Sequence, residues 1–210
     1  NNKMKILILG ATGPTGQQLL TRALDQNHEV TALVRNPSKL NFQHQQLRII
    51  KGDVLDSKVL LTAVQGQQAV ISALGKGKSL RSSNLITNTV NCLIPIMYKS
   101  KVRRLIFLSG FGAGETLAQA SQLQKFIFKT FLKSIYSDKA RAEKIIRNSN
   151  LDWTLVYPVQ LINTPSNGNY KSAEKLSMKG MPKISRADVA DFMLQELKDN
   201  TFLKKGVILK

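Results

Sequence analysis

The sequence predicts an α/β fold, a doubly wound parallel sheet with helices on both faces. Three features predict it. Ile6-Leu7-Ile8-Leu9 is an unbroken apolar run, as expected of a strand buried on both sides. Gly10, Gly13 and Gly16 follow at intervals of three, where the chain must turn sharply and start a helix. Beyond them, short apolar runs alternate with amphipathic stretches, the pattern of units that build a parallel sheet.

The first helix is expected from Pro14 to Gln26, with Leu19, Leu20, Ala23 and Leu24 on one face. Asn27-His28 turns into a second strand, Glu29 to Val34, and a third runs from Leu47 to Lys51. A short helix from Asp56 to Val64 ends at Gly66, and Gln68 to Leu74 is strand four. Leu85 to Ser100 reads as a helix in which Pro95 makes a kink or sits near the end. Val102 to Leu108 is strand five, Leu117 to Leu132 an amphipathic stretch, Ser137 to Ser149 a helix and Trp153 to Val156 strand six. Asn163 to Gly168, with Pro165 and Asn167, reads as a loop over the cleft. Arg186 to Lys198 is a late helix and Gly206 to Leu209 a last strand.

At 210 residues the chain is expected to form one domain, 1–210. A small substrate lobe is expected from 159–183, with 111–135 as its second piece. No apolar run approaches the roughly 20 residues a membrane span needs, and Asn1-Asn2-Lys3-Met4 is too short for a signal peptide. A single cysteine, Cys92, allows no intrachain disulfide and suits a cytoplasmic location. It reads as a small apolar side chain on its helix. With only His28 and His44 besides, no metal site is expected. The mean hydropathy of -0.14 suits a water-exposed globule.

The net charge is +18, of which +9 falls in residues 71–140, +4 in 1–70 and +5 in 141–210. The excess is largest where the ligand cleft of such a fold would lie. An anionic cofactor and substrate, a nucleic acid or anionic membrane, and a plain solvated surface would each account for it. The cations are scattered, with no basic run of five, which favours surface solubility and anion steering over a nucleic-acid face. Lys125, Lys129 and Lys133 share one helical face opposite Phe128, Phe131, Leu132 and Ile135. That is either a lid or membrane-surface patch, or a helix packing its aromatics onto the domain.

The stretch Gly10-Ala11-Thr12-Gly13-Pro14-Thr15-Gly16 has the form of a phosphate-binding turn. Residues without a Cβ let the backbone approach a phosphate, and the amides and dipole of the new helix favour its charge. Such a triplet also makes ordinary tight turns. Its place after a strand, at the head of a helix and early in the chain points to a Rossmann-type dinucleotide-binding unit. An NAD-specific unit carries an acid near the end of strand two, on the ribose 2′-hydroxyl. Here the end reads Val34-Arg35-Asn36-Pro37-Ser38-Lys39. Arg35 can fork onto a 2′-phosphate, Lys39 adds charge and Ser38 a hydroxyl, so NADP(H) is the expected cofactor.

Asp53, after strand three, either meets the adenine amine or caps the helix near Asp56. Gly77-Lys78-Ser79 imitates the tail of a triphosphate-binding loop, but Ser72 stands where its first glycine belongs. The expectation is instead a turn at Leu74-Gly75-Lys76 under the cofactor ribose and pyrophosphate. Ser109 ends strand five, where it faces the ligand crevice or caps the following turn. Gly110, Phe111, Gly112 and Gly114 form either a wall for a flat ring or a flexible linker.

These residues resemble the atypical short-chain dehydrogenase/reductases of the NAD(P)H-binding, NmrA-like type, and within them the biliverdin reductase B/flavin reductase branch. The likeness is carried by the glycine turn, Val34-Arg35 with Ser38-Lys39, and Gly52-Asp53-Val54. It continues through Leu108-Ser109-Gly110, Asp138-Lys139 with Glu143, Leu151 to Thr154 leading to Tyr157-Pro158, and Ile184 to Ala190. The resemblance implies an oxidoreductase that moves hydride from NADPH to a conjugated acceptor: a flavin, a quinone or a linear tetrapyrrole. It implies Thr12, Gly13 and Thr15 on the pyrophosphate, Arg35 and Ser38 on the 2′-phosphate, Asp53-Val54 at adenine and Leu74-Gly75 at ribose. Ser109 and Pro158-Val159-Gln160 would border the nicotinamide, making Ser109 and Lys139 the catalytic candidates and Gly110, Phe111 and Gln160 the substrate contacts.

Two departures stand out. The wider superfamily places a tyrosine four residues before its lysine; here Ile135 holds that position relative to Lys139. Tyr136 is three before, about 100° round the helix, which argues against ketone chemistry by that route. The branch's histidine near the nicotinamide is Gln160 here, which cannot act as an acid. Flavin or quinone reduction tolerates both, because the acceptor's delocalised system takes the electrons. A non-catalytic NADP(H)-binding sensor is the alternative. The partner expected is a small acceptor, anionic or planar aromatic; the sequence sets no oligomeric state.

Overall fold

β1 (Lys5–Leu9) is the axis of the molecule, with Ile6 to Leu9 shut off from solvent. The computed structural model describes residues 3–40, 42–75, 84–121, 124–125 and 133–210. β2 (Glu29–Val34) and β4 (Ala69–Ser72) flank β1 in parallel. β3 (Leu47–Lys51) lies outside β2. β5 (Arg104–Leu108), β6 (Asp152–Pro158) and β10 (Lys205–Leu209) extend the parallel sheet beyond β4. β8 (Ser172–Ala173) closes that edge antiparallel to β10, giving the order β3-β2-β1-β4-β5-β6-β10-β8. The order reverses between β1 and β4, and in such sheets ligands sit beyond the carboxyl ends of the strands at that reversal.

Helices cover both faces, so the interior strands are apolar throughout rather than alternating. α1 (Pro14–Asp25) packs on α5 (Arg186–Asp199) on one side. α2 (Ser57–Val64), α3 (Leu85–Lys99) and α4 (Lys133–Arg147) line up on the other. The fold class is therefore the doubly wound Rossmann type. Among the described residues no helix is long and apolar enough to cross a membrane. Cys92 is partly buried and packs against the core.

The structure shifts several expected boundaries. α4 starts at Lys133, a turn before Ser137, and β6 extends to Pro158 because its ladder with β10 runs on past Val156, the last residue paired with β5. β4 stops at Ser72 and β5 starts at Arg104, where their pairing begins. Pro95 lies inside α3 on its exposed side, where the missing amide faces solvent rather than the core. The amphipathic stretch expected from Leu117 to Leu132 opens on a 3-10 turn, Gly114–Gln119. Residues 122–123 and 126–132, which carry Lys129, Phe128, Phe131 and Leu132, lie outside the described residues.

Two short strands had no apolar run to announce them. β7 (Gln160–Ile162) pairs in parallel with β9 (Lys183–Ser185) beside the carboxyl end of β6. The Gln119 amide joins the 3-10 turn to this region, donating to the Glu174 carbonyl (3.5 Å) and accepting from the Leu176 amide (3.4 Å).

Candidate functional site

The glycine turn is built by contact. Gly10 has φ +82, and a Cβ there would lie 2.7 Å from the Ala73 carbonyl oxygen and 2.9 Å from the Leu74 amide nitrogen. That close approach joins the ends of β1 and β4 at the sheet reversal. A Cβ on Gly16 would meet the Gly10 carbonyl and come within 2.8 Å of the Ala11 Cα. Gly13 donates its amide to the Gly10 carbonyl (3.0 Å) and stands as N-cap of α1 with no side chain over the helix end. Pro14 opens the helix and is exposed, Thr12 is half-buried and Thr15 buried. The Thr15 and Gly16 amides belong to the first turn, whose donors have no acceptor inside a helix. No acidic side chain stands in that turn. A small anion fits such a hollow: amides point at it, the dipole favours it and no Cβ fills it.

Beside the turn, β2 delivers Arg35, Ser38 and Lys39 to the surface, all exposed. The Asn36 carboxamide oxygen accepts from the Ser38 amide (3.1 Å) and hydroxyl (2.7 Å), which fixes the Pro37–Lys39 turn. The alternatives left for Asp53 separate here. Asp56 is the helix cap, accepting from Lys58 (2.9 Å) and Val59 (3.2 Å), while Asp53 accepts from the Leu55 amide (3.0 Å) in the loop before it. Val54 is buried beside it. Leu74 is half-buried and Gly75 exposed; Lys76 lies outside the described residues.

The second half of the crevice is at the end of β5. Asp138, Lys139 and Glu143 come from one stretch of α4, and each serves a different element. Asp138 holds the start of α3, accepting from the Ile86 (2.9 Å) and Thr87 (3.0 Å) amides. Lys139 Nζ donates to the Ser109 carbonyl (3.0 Å). Glu143 lies under the chain, accepting from the Ser109 hydroxyl on one oxygen and from the Tyr157 hydroxyl (2.9 Å) on the other. Burial pulls the Lys139 amine down to about 8, with Glu143 opposing it. Burial also pushes Glu143 up, against its hydroxyl donors and the nearby cations.

Ser109 is therefore 2% exposed, its hydroxyl turned inward to Glu143 while its carbonyl receives Lys139. Phe111 departs from the expected wall: its ring is in the core, 3% exposed, and its amide donates to the Pro158 carbonyl (2.9 Å). It forms no free wall for a flat ring. Gly110 is the open position. A Cβ there would lie 3.5 Å from both Lys139 Nζ and Tyr136 Cε1. The three-residue spacing thus leaves the Tyr136 ring beside Lys139, since residues three apart on a helix are neighbours. Residue spacing gives a side chain's direction round the helix and not its reach.

Pro158 and Val159 are buried at the end of β6, and Gln160 is exposed on β7. Asp188, in the first turn of α5, is a residue whose role the sequence did not reveal. One carboxylate oxygen accepts from the Ser166 hydroxyl (2.7 Å) and the Asn167 (3.1 Å) and Gly168 (3.0 Å) amides. The other accepts from the Ser185 hydroxyl (2.6 Å). Burial pushes this carboxyl up, but the hydrogen bonds outweigh it and hold it below the usual range.

A glycine-lined hollow at the reversal of a doubly wound sheet, with cations at the end of β2, defines a dinucleotide-binding protein. The chain belongs to the NAD(P)H-binding family, which matches residues 10–200. It is 29% identical to the uncharacterized protein YwnB of Bacillus subtilis (strain 168), over 92% of each chain. It is 27% identical to the oxidoreductase aflX of Aspergillus parasiticus, over 93% of this chain and 79% of aflX. Among solved structures, ChuY, an anaerobillin reductase from Escherichia coli O157:H7, superposes with TM-score 0.82 at 22% identity, covering 98% of this chain and 96% of ChuY. A short-chain dehydrogenase/reductase from Veillonella parvula in complex with NADP gives 0.80 at 20%, covering 98% and 94%. At those identities the two structures speak for the fold.

Proposed function

We propose that the protein is an NADPH-dependent reductase that passes hydride to a planar conjugated acceptor such as a flavin, a quinone or a linear tetrapyrrole. The observation that carries the cofactor choice is the end of β2, where exposed Arg35, Ser38 and Lys39 stand in place of an acid. A guanidinium there suits a 2′-phosphate and gives a bare ribose hydroxyl nothing to donate to. The turn from Gly10 to Gly16 holds the pyrophosphate, Asp53-Val54 and Leu74-Gly75 line the adenosine side, and Pro158 to Gln160 border the nicotinamide. When bound, the cofactor supplies the hydride. Residues 159–183, with the described part of 111–135, would form the small lobe on the acceptor side. The name of aflX is in keeping with redox chemistry in the family. The net charge of +18 would draw an anionic acceptor, and a lone cysteine fits work in the reducing cytoplasm.

Titration calorimetry should show NADPH binding at least tenfold tighter than NADH, with Arg35→Ala removing most of the difference. Equal losses for both cofactors would withdraw the assignment of Arg35. NADPH oxidation with FMN, FAD, biliverdin and a naphthoquinone tests turnover. Tight binding without consumption by any of them would make the protein a sensor of NADP(H) instead.

A further inference from the structure

We propose that Glu143 is a positioning residue of the reductase site: its carboxylate holds Lys139 as an ammonium ion at the end of β5, where an acceptor taking up hydride gains negative charge. Only the second half of that statement rests on the reductase reading. Glu143 is 2% exposed. It is one helical turn beyond Lys139, so both side chains rise from the same face of α4. The chain above has been cut to fit it, for a Cβ on Gly114, at φ +50, would collide with its Oε2. Gly114 thus covers a buried carboxylate, while Gly110 leaves room beside Lys139.

The charges around Lys139 single out this partner. Lys139 and Glu143 converge on Ser109, the one at its carbonyl (3.0 Å) and the other at its hydroxyl. Tyr136 is on the same helix near Gly110, with Arg147 one turn beyond Glu143; from β6 the Tyr157 hydroxyl approaches Glu143 (2.9 Å). Arg147 is met by the Tyr157 oxygen (3.1 Å) and by the exposed Glu115 (3.3 Å). Asp138 is turned away to the start of α3. The atom that Lys139 touches, the Ser109 carbonyl, is neutral. An amine held by a neutral partner in a desolvated place loses its proton readily, and a nearby carboxylate opposes that loss. Burial lowers Lys139 to about 8, near enough to neutrality for the carboxylate to decide its state. The hydroxyls of Ser109 and Tyr157, both donating to Glu143, favour its ionised form.

The titration of Lys139 in the full chain tests this without any acceptor. The 13Cε resonance of lysine-labelled protein, assigned with Lys139→Arg, is followed against pH in the original chain, Glu143→Gln and Glu143→Asp. The midpoint should fall by about one pH unit in Glu143→Gln and by less in Glu143→Asp. An unchanged midpoint in Glu143→Gln overturns the proposal. Should that variant not fold, Glu143→Asp decides, a midpoint equal to the original chain's counting against it. With naphthoquinone as acceptor, the alkaline limb of kcat should move down by the same interval, leaving the KM for NADPH unchanged. If the original chain turns over no acceptor, the reductase reading fails while the Lys139 midpoint still decides whether Glu143 holds the charge.

Discussion

Gly16 shows how much one missing methyl carries. The first turn of α1 approaches the Gly10 carbonyl so closely that no Cβ fits between them, and that approach leaves the amides of the turn open to a phosphate. Gly16→Ala should cost roughly 1–3 kcal/mol of stability, the usual range for overpacking, and lower NADPH affinity more than tenfold. Urea midpoints and calorimetry read the two effects separately. Full affinity in a stable Gly16→Ala protein would mean that the phosphate lies elsewhere. This residue was legible in the sequence because the constraint is local: three glycines at fixed spacing after an apolar strand describe one turn. Phe111 was not legible, because its ring is buried in a core drawn from the whole sheet and its amide meets Pro158, a residue far along the chain.

Among the elements, the start of α5 does two tasks. Ser185 caps the helix, accepting from the Asp188 amide (2.9 Å), and Asp188 binds back to Ser185 while gripping the loop from Ser166 to Gly168. Arg186 steadies the front of that loop by donating to Asn163 (2.8 Å). Asp188→Asn keeps the shape but cannot accept on both oxygens, and should cost roughly 1–3 kcal/mol, the range for losing buried hydrogen bonds to a charged group. Its effect on turnover should fall on the KM of the acceptor and spare NADPH binding. An unchanged acceptor KM would leave the loop without a part in the site. The helix itself was plain from its apolar spacing. Its hold on the loop was not, since a serine–aspartate pair at that position reads simply as a cap.

For the molecule as a whole, His28 ties stability to pH. It sits just before β2, 1% exposed, where Nδ1 accepts from the Met4 amide (3.1 Å) and Nε2 has no hydrogen-bond partner among the described residues. Burial lowers its pKa, and the nearby Lys198 lowers it further. The folded state therefore refuses a proton that the unfolded chain accepts near pH 6.5. Its contribution is complete above that value and drains away as pH falls from there towards the folded pKa. Between pH 7.5 and 5.5 the urea midpoint should drop further for the original chain than for His28→Gln. Equal drops would show that the imidazole takes up its proton without unfolding. In sequence His28 marked only a turn, because the groups about it, the Met4 amide and Lys198, come from distant parts of the chain.

The sequence by itself determined the fold class, the glycine turn after β1 and the cations at the end of β2, because period, glycine spacing and the residues following a strand are written over a few consecutive positions. Only the tertiary structure decided what meets at the end of β5. Ser109, Tyr136, Lys139, Glu143 and Tyr157 come from two strands and a helix, and their meeting depends on register and reach across the sheet. A hydroxyl that looked ready to face a ligand turns inward to a buried carboxylate, because a charge without water must be met from within the protein.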